Sequence, residues 1–257
     1  MKVKFYGTRG SIPVPEREFM EFGGNTTCLR VTMANGYVVI FDAGTGIRQL
    51  GKDLVASGHE QFDLMPIVLS HTHWDHVQGF PFFGPAYDPK RKFLIAICGQ
   101  PGICECCGQE IVTERLESLF EAQMQGEFFP VPLNEMGAEF TFFQPDITKH
   151  RGDFGNELEM LRHNHPGGAY SYRLTEADKS LVYCTDIEHG ESIDERIVEL
   201  ARGADLLVHD AQYTPAELKE KKGWAIAAGS RPSKSLREQA SSNWLSRITT
   251  PSTMTNS

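Results

Sequence analysis

Apolar and polar positions change period along this chain, and the changes mark its elements. Met1 to Tyr6 alternates and predicts a strand. Thr27–Met33 and Tyr37–Phe41 are apolar-rich runs around Asn35-Gly36, the dipeptide that most favours a tight hairpin turn. Ile47–Ala56 has helical spacing with Gly58 just beyond it. Met65–Leu69 and Phe93–Cys98 are short apolar runs of buried-strand type, and Ile111–Met124 returns to helical spacing through Ile111, Leu116, Leu119 and Phe120. Phe128 to Leu133 is a proline-bound loop whose aromatics either line a pocket or pack on the sheet, with packing the favoured reading. A second β-rich block is expected to begin near Glu139–Phe143. It continues through Glu157–Leu161, a hairpin of Tyr170–Leu174 with Ser180–Cys184, a helix over Ile193–Ala201 and a strand over Asp205–Val208. Two strand-rich blocks, each followed by helical sequence, imply two facing sheets with helices outside.

Composition narrows the class. The chain has 257 residues and is 40% hydrophobic, enough for a sizeable core in one or two domains. No apolar stretch approaches a membrane span, and the first residues lack a signal-peptide core, so a cytoplasmic protein is expected. A net charge of −9 argues against broad nucleic-acid binding, which needs a basic face. The six cysteines are then expected as free thiols. Cys104-Glu105-Cys106-Cys107 contains a C-x-x-C, but no second pair follows, which favours loop thiols over a metal site. Cys28 and Cys184 fall in apolar runs as small core residues.

The chemistry concentrates in Ser70-His71-Thr72-His73-Trp74-Asp75-His76, directly after the run Met65–Leu69. Imidazole and carboxylate donors suit zinc, manganese or iron. In extended chain, alternate side chains share a face, so His71 and His73 can meet one cation. A turn into helix then redirects Asp75 and His76 toward a second. Two metals about 3.5–4 Å apart form a clamp suited to ester hydrolysis.

His71-x-His73-x-Asp75-His76 resembles the H-x-H-x-D-H motif of the metallo-β-lactamase superfamily. The stretches Tyr6–Ser11, Phe41–Gly46 and Tyr183–Asp186 are similar to its ribonuclease Z and phosphodiesterase branch. The resemblance runs from Met1 to about Trp224. It implies an α/β fold, the αββα four-layer sandwich, with metals at one edge. It implies two divalent ions, zinc first and manganese or iron as alternatives, held by His71, His73, Asp75, His76, His165 and the bridging Asp186. His163 competes with His165 for its place. Asp42 corresponds to an acid that supports ligands without touching metal, and Asp75 also orients the attacking hydroxide. Asp210, in His209-Asp210-Ala211, corresponds to an acid that positions a leaving-group histidine. His189 receives no role.

The activity implied is a phosphodiesterase that uses a metal-bound hydroxide on a small or cyclic nucleotide-like phosphodiester. tRNA 3′ processing is the alternative, with RNA as a less favoured partner. A homodimer is a further expectation, and no membrane partner is expected.

After Trp224 the resemblance breaks. The branch continues G-H-S-S-W and ends in a histidine-rich segment, whereas this chain has Ala225-Ile226-Ala227-Ala228-Gly229 and no histidine from there on. The codons GGC CAT AGC AGC TGG, placed after the TGG of Trp224, yield Ala-Ile-Ala-Ala-Gly once a single G is dropped. Residues 1–224 are therefore expected to form the hydrolase domain. Residues 225–257 are expected to be an out-of-frame, poorly ordered tail that lacks the last helix and strand of the fold, one metal-ligating imidazole and the leaving-group histidine. A metal-binding protein with impaired catalysis is the third expectation.

Overall fold

A computed structural model describes residues 1–58, 64–97, 114–144, 148–152, 155–188, 193–210 and 244–246. The chain divides into two compact units, Met1–Ile103 with Gln109–Asp146, and Cys104–Gly108 with Ile147–Ser257.

The first unit is built on a six-stranded sheet in simple sequence order: β1 (Lys2–Gly7), β2 (Cys28–Thr32), β3 (Val38–Phe41), β4 (Leu64–Val68), β5 (Lys92–Ala96) and β6 (Glu139–Phe143). The first three strands are antiparallel, and β3 to β6 run parallel. The turn at Asn35-Gly36 is where the sequence places it, with Gly36 at φ 89°. Central β3 is buried along its whole length, as a strand covered on both faces requires. Helix α1 (Ile47–Ala56) turns Ile47, Leu50, Gly51 and Leu54 inward, where an added Cβ at Gly51 would stand 2.8 Å from the Pro85 ring. Helix α3 (Glu114–Gln123) buries Leu116 and Phe120.

One boundary differs from expectation. Glu139–Phe143 does not open the second block; it closes the first sheet as β6, paired in parallel with β5. The reason is aromatic packing. Phe140 stacks on Phe93 at 5.9 Å and meets Phe80 edge-on at 5.6 Å, while Phe142 lies 5.6 Å from Phe120. Two rings at alternate positions lie on one side of the strand, and such pairs add to area burial.

The second unit carries another six-stranded sheet, ordered β12-β11-β10-β9-β8-β7. Its strands are β7 (Lys149–Arg151), β8 (Asn156–His163), β9 (Ala169–Glu176), β10 (Lys179–Cys184), β11 (Leu206–His209) and β12 (Trp244–Ser246). The expected hairpin is β9 and β10, in antiparallel register from Glu176↔Lys179 to Tyr172↔Tyr183. Helix α4 (Glu195–Ala201) starts at Asp194, whose carboxylate accepts from the Arg196 amide, and packs Ile197, Val198 and Ala201 with Val182, Cys184 and Leu207. Arg173 of β9 donates to the carbonyls of Leu200 and Arg202, holding the C-terminal end of that helix. Of residues 225–257, only Trp244–Ser246 is described, as a strand parallel to β11; the expected order of the rest lies outside the described residues.

Candidate metal centre

Parallel pairing brings the C-terminal ends of β3 and β4 together, and the first group of functional side chains grows from those ends. Asp42 follows β3 and Ser70-His71 follows β4. Asp42 is buried, with its backbone in the left-handed region at φ 59°. A non-glycine residue held there costs energy that the surroundings must meet. They do so through bonds to its carboxylate: the Ser70 amide donates to Oδ1 at 2.7 Å, and the Ser70 hydroxyl lies 3.0 Å from both oxygens. His76 Nδ1 completes the set at 2.8 Å from Oδ2.

Ser70 Oγ also lies 3.1 Å from Nδ1 of both His71 and His76. An ionised carboxylate only accepts, so the His76 ring facing Asp42 carries its proton on Nδ1 and leaves Nε2 for a metal. The Ser70 hydroxyl ties His71 Nδ1 into the same network. The sequence contained this signal in Ser70, but no role was assigned to that residue.

The other members of the motif follow. After extended His73, the chain enters the single helical turn α2 (Trp74–Val77). The ring centroids of His71 lie 4.5 Å from those of His73 and 4.1 Å from those of His76. In both pairs, ligand atoms approach within 4.8 Å. Asp75 Oδ2 lies 3.4 Å from His76 Nε2 and accepts the Ser11 amide at 2.8 Å. His71, Asp75 and His76 are buried and His73 is exposed. The motif is clasped to the loop after β3: Ala43 N–H donates to His76 O at 2.7 Å, and Gly79 N–H to Ala43 O at 3.0 Å. An added Cβ at Gly79 would stand 2.1 Å from Gly44 O, so only glycine allows this approach. Imidazoles whose ligand atoms lie this close beside a carboxylate are a donor set that fits zinc, manganese or iron.

The second unit has its own cluster at the corresponding strand ends. His165 follows β8, Asp186 follows β10 and Asp210 follows β11; these three strands run in one direction, so all three residues lie along one edge of the sheet. His165 and Asp186 are each 5% exposed and Asp210 only 2%, strong burial for groups of this kind. His165 sits in a tight turn whose Gly167 and Gly168 have φ 84° and 80°, closed by Gly168 N–H to His165 O at 2.7 Å. Asp186, like Asp42, is left-handed, at φ 56°. Its loop is tied to the His165 turn by Glu188 N–H to Asn164 O at 3.0 Å and Asn164 Nδ2 to Glu188 O at 3.2 Å. His163 bonds through Nδ1 to Ser171 Oγ at 2.8 Å. The Asp210 amide donates to Cys184 O, and His209 Nδ1 lies 2.7 Å from Asp210 O. Burial holds the His209 imidazole below the usual histidine range. The Cys184 thiol is pushed up to about 12 by burial, the mark of an inert core cysteine, and Cys28 is shifted the same way. His189 and the C-x-x-C of Cys104–Cys107 lie outside the described residues.

Residues 37–240 match the family model for the β-lactamase superfamily domain. The chain belongs to that superfamily. The matched stretch runs past Trp224. The chain is 25% identical over 274 residues to a ribonuclease Z of Archaeoglobus fulgidus, covering 93% of this chain and 82% of that protein. It is 24% identical over 260 residues to one of Haloarcula marismortui, covering 83% and 74%. Among solved structures, the short form of human tRNase Z aligns with TM-score 0.61 at 16% identity, covering 93% of this chain and 89% of that one. The metallo-β-lactamase fold protein YhfI of Bacillus subtilis aligns with TM-score 0.58 at 15% identity, covering 95% and 94%. The α/β fold expected from the sequence is thus the one the chain adopts, and the chain is a metal-dependent hydrolase of this superfamily. No described helix is long and apolar enough to cross a membrane.

Proposed function

We propose that this chain is a phosphodiesterase and that two divalent ions, zinc foremost, serve its reaction. The observation that carries the proposal is the Asp42–Ser70 platform, which sets the tautomer of His76 and ties the His71 ring to the same carboxylate network. His71, His73, His165 and Asp186 are assigned to one ion, and Asp75, His76 and the shared Asp186 to the other. When bound, such a pair supplies an activated water and offsets negative charge developing at phosphorus. Asp75, fixed by the Ser11 amide, orients that water. Asp210 is assigned to the leaving-group side, but the histidine it would position is missing from residues 225–257. A reducing cytoplasmic setting suits the buried thiols Cys28 and Cys184.

Two substrate classes are carried forward. The net charge of −9 supports a small or cyclic nucleotide-like phosphodiester, because a long polyanion is repelled by an acidic surface. The names of the relatives, ribonuclease Z in both sequence matches, support an RNA end instead. Assays of bis-p-nitrophenyl phosphate, cyclic nucleotides and a tRNA precursor, each with zinc or manganese, separate the two. With the reading frame restored after the Trp224 codon, an Asp210→Asn variant is expected to keep its metal and lose turnover. A folded, metal-loaded chain that cleaves none of these esters overturns the proposal and leaves a metal-binding protein without catalysis.

A further inference from the structure

We propose that the apolar cleft beside the H-x-H-x-D-H motif seats a nucleobase of the substrate; this rests on the phosphodiesterase proposal above. The cleft has a volume of about 350 Å³, within the range of small-molecule sites, and is lined by Trp74, Val77, Leu119, Phe120, Gln123 and Phe128. Trp74 is 59% exposed and Phe128 75%, large aromatic surfaces left facing the solvent. Of the two readings the sequence leaves for this loop, Phe128 takes the pocket one and lines the cleft, while Phe129 packs edge-on to Phe82 at 5.5 Å.

Three features select the occupant. The first is position: Trp74 is the chain neighbour of His73 and Asp75, and a base and the phosphate of its own nucleotide are one sugar apart. The second is shape: two exposed aromatic side chains offer flat faces on which a planar ring stacks. The third is a buried amide in a lining whose other polar side chain is Thr72. Gln123 is 7% exposed, and its Oε1 has no hydrogen-bond partner among the described residues. A buried amide in that state gains from a ligand with a polar edge. A peptide's aliphatic side chain or an acyl chain would fill the cleft but leave the amide unsatisfied. A nucleobase, apolar on its faces and hydrogen-bonding at its edge, satisfies both; the amide meets either a donor or an acceptor according to its flip.

The test is binding to the full chain in the presence of manganese, at fixed ionic strength, with AMP, ribose 5-phosphate, a five-nucleotide oligoadenylate and its abasic counterpart as probes. Bis-p-nitrophenyl phosphate turnover is followed in parallel. AMP is expected to bind roughly 5- to 100-fold more tightly than ribose 5-phosphate, the range of base–aromatic stacking. Trp74→Ala should abolish most of that preference, Trp74→Phe should retain it, and Gln123→Met should reduce it with thermal stability unchanged. A preference confined to the oligoadenylate over its abasic counterpart, and lost in Trp74→Ala, supports the seat and identifies RNA as its source. The same preference shown by AMP identifies a free nucleotide. If neither base-bearing probe is preferred, or the preference survives both Trp74→Ala and Phe128→Ala, the seat is overturned even where the ester is hydrolysed. A base preference without any ester turnover keeps the seat and removes the phosphodiesterase proposal.

Discussion

The Asp42 carboxylate lies 2.8 Å from His76 Nδ1 across 34 residues of sequence, and both side chains are fully buried. A charged group taken out of water is costly unless its oxygens are satisfied, and here the Ser70 amide and hydroxyl share the task. The pair orients the ring and raises the basicity of Nε2. Asp42→Asn preserves size but removes the anion. It is expected to weaken metal binding about 10- to 100-fold, the usual cost of losing such a support. Competition with a chromogenic chelator measures it, and unchanged affinity would show that Asp42 serves only the fold.

Ser70→Ala removes one hydroxyl that three groups share. The Ser70 amide still reaches Asp42, so the fold should persist. Its loss should cost about 1–3 kcal/mol, because two buried Nδ1 groups and a carboxylate lose a partner together. Urea denaturation of the metal-free chain reads this directly; a change below about 0.5 kcal/mol, the scale of an ordinary surface substitution, would mean that water replaces the hydroxyl.

Much of this architecture was legible in the sequence, and the failures have physical causes. The His71–His76 motif was legible because it stands at the end of a short apolar strand, where period and chemistry coincide. The β9–β10 hairpin was equally visible, since both partners are local. Glu139–Phe143 was misassigned to the second block because its partner β5 lies more than forty positions earlier in sequence, and parallel pairing leaves no local turn signal. Ser70 went without a role because a serine's importance here depends on Asp42 coming from another strand. For Phe128 the favoured reading was packing, because aromatic residues usually pack, and the pocket alternative is the one it takes, with Phe129 beside Phe82.

The thiols give an independent check on burial. Cys28 and Cys184 are fully buried, and burial disfavours the thiolate that reacts. In the folded chain at pH 8, both are expected to resist iodoacetamide for hours, and both should label at once in urea. Peptide mapping by mass spectrometry resolves them from the other four cysteines. Rapid native labelling of Cys184 would contradict its packing with Val182 and Leu207.

Asp53 supplies a pH test away from the metal residues. Hydrogen bonds from Lys4, then Tyr6 and Gln49, lower its pKa from 3.8 to about 2. A depressed carboxylate stabilises the fold fully above its unfolded pKa, and that contribution fades as pH falls from about 4 toward 2. The Lys4 partner is 53% exposed, so solvent screening holds the effect below about 1 kcal/mol. Asp53→Asn should therefore be slightly less stable than the parent at pH 7, with the difference closing below pH 4. Urea titrations of the metal-free proteins at both pH values test the sign, and a difference that widens in acid would refute it.

The last prediction concerns residues 225–257, which we propose are translated out of frame. All nine histidines precede this segment, so it has no imidazole to offer a metal. On the ligand assignment proposed here, one ion keeps three imidazoles and a carboxylate, while the other has only His76 with Asp75 and the shared Asp186. Zinc sites with three protein ligands are ordinary, but carboxylates hold zinc less selectively than imidazoles do. The chain as it stands should thus bind a first zinc tightly and a second far more weakly, giving two separated steps in a chelator titration. A variant with the reading frame restored after the Trp224 codon should regain a second tight step and gain phosphodiester turnover with it. Two equally tight ions in the present chain, with turnover matching the restored variant, would show that residues 225–257 cost the centre nothing, and the frame proposal would then lose its functional basis.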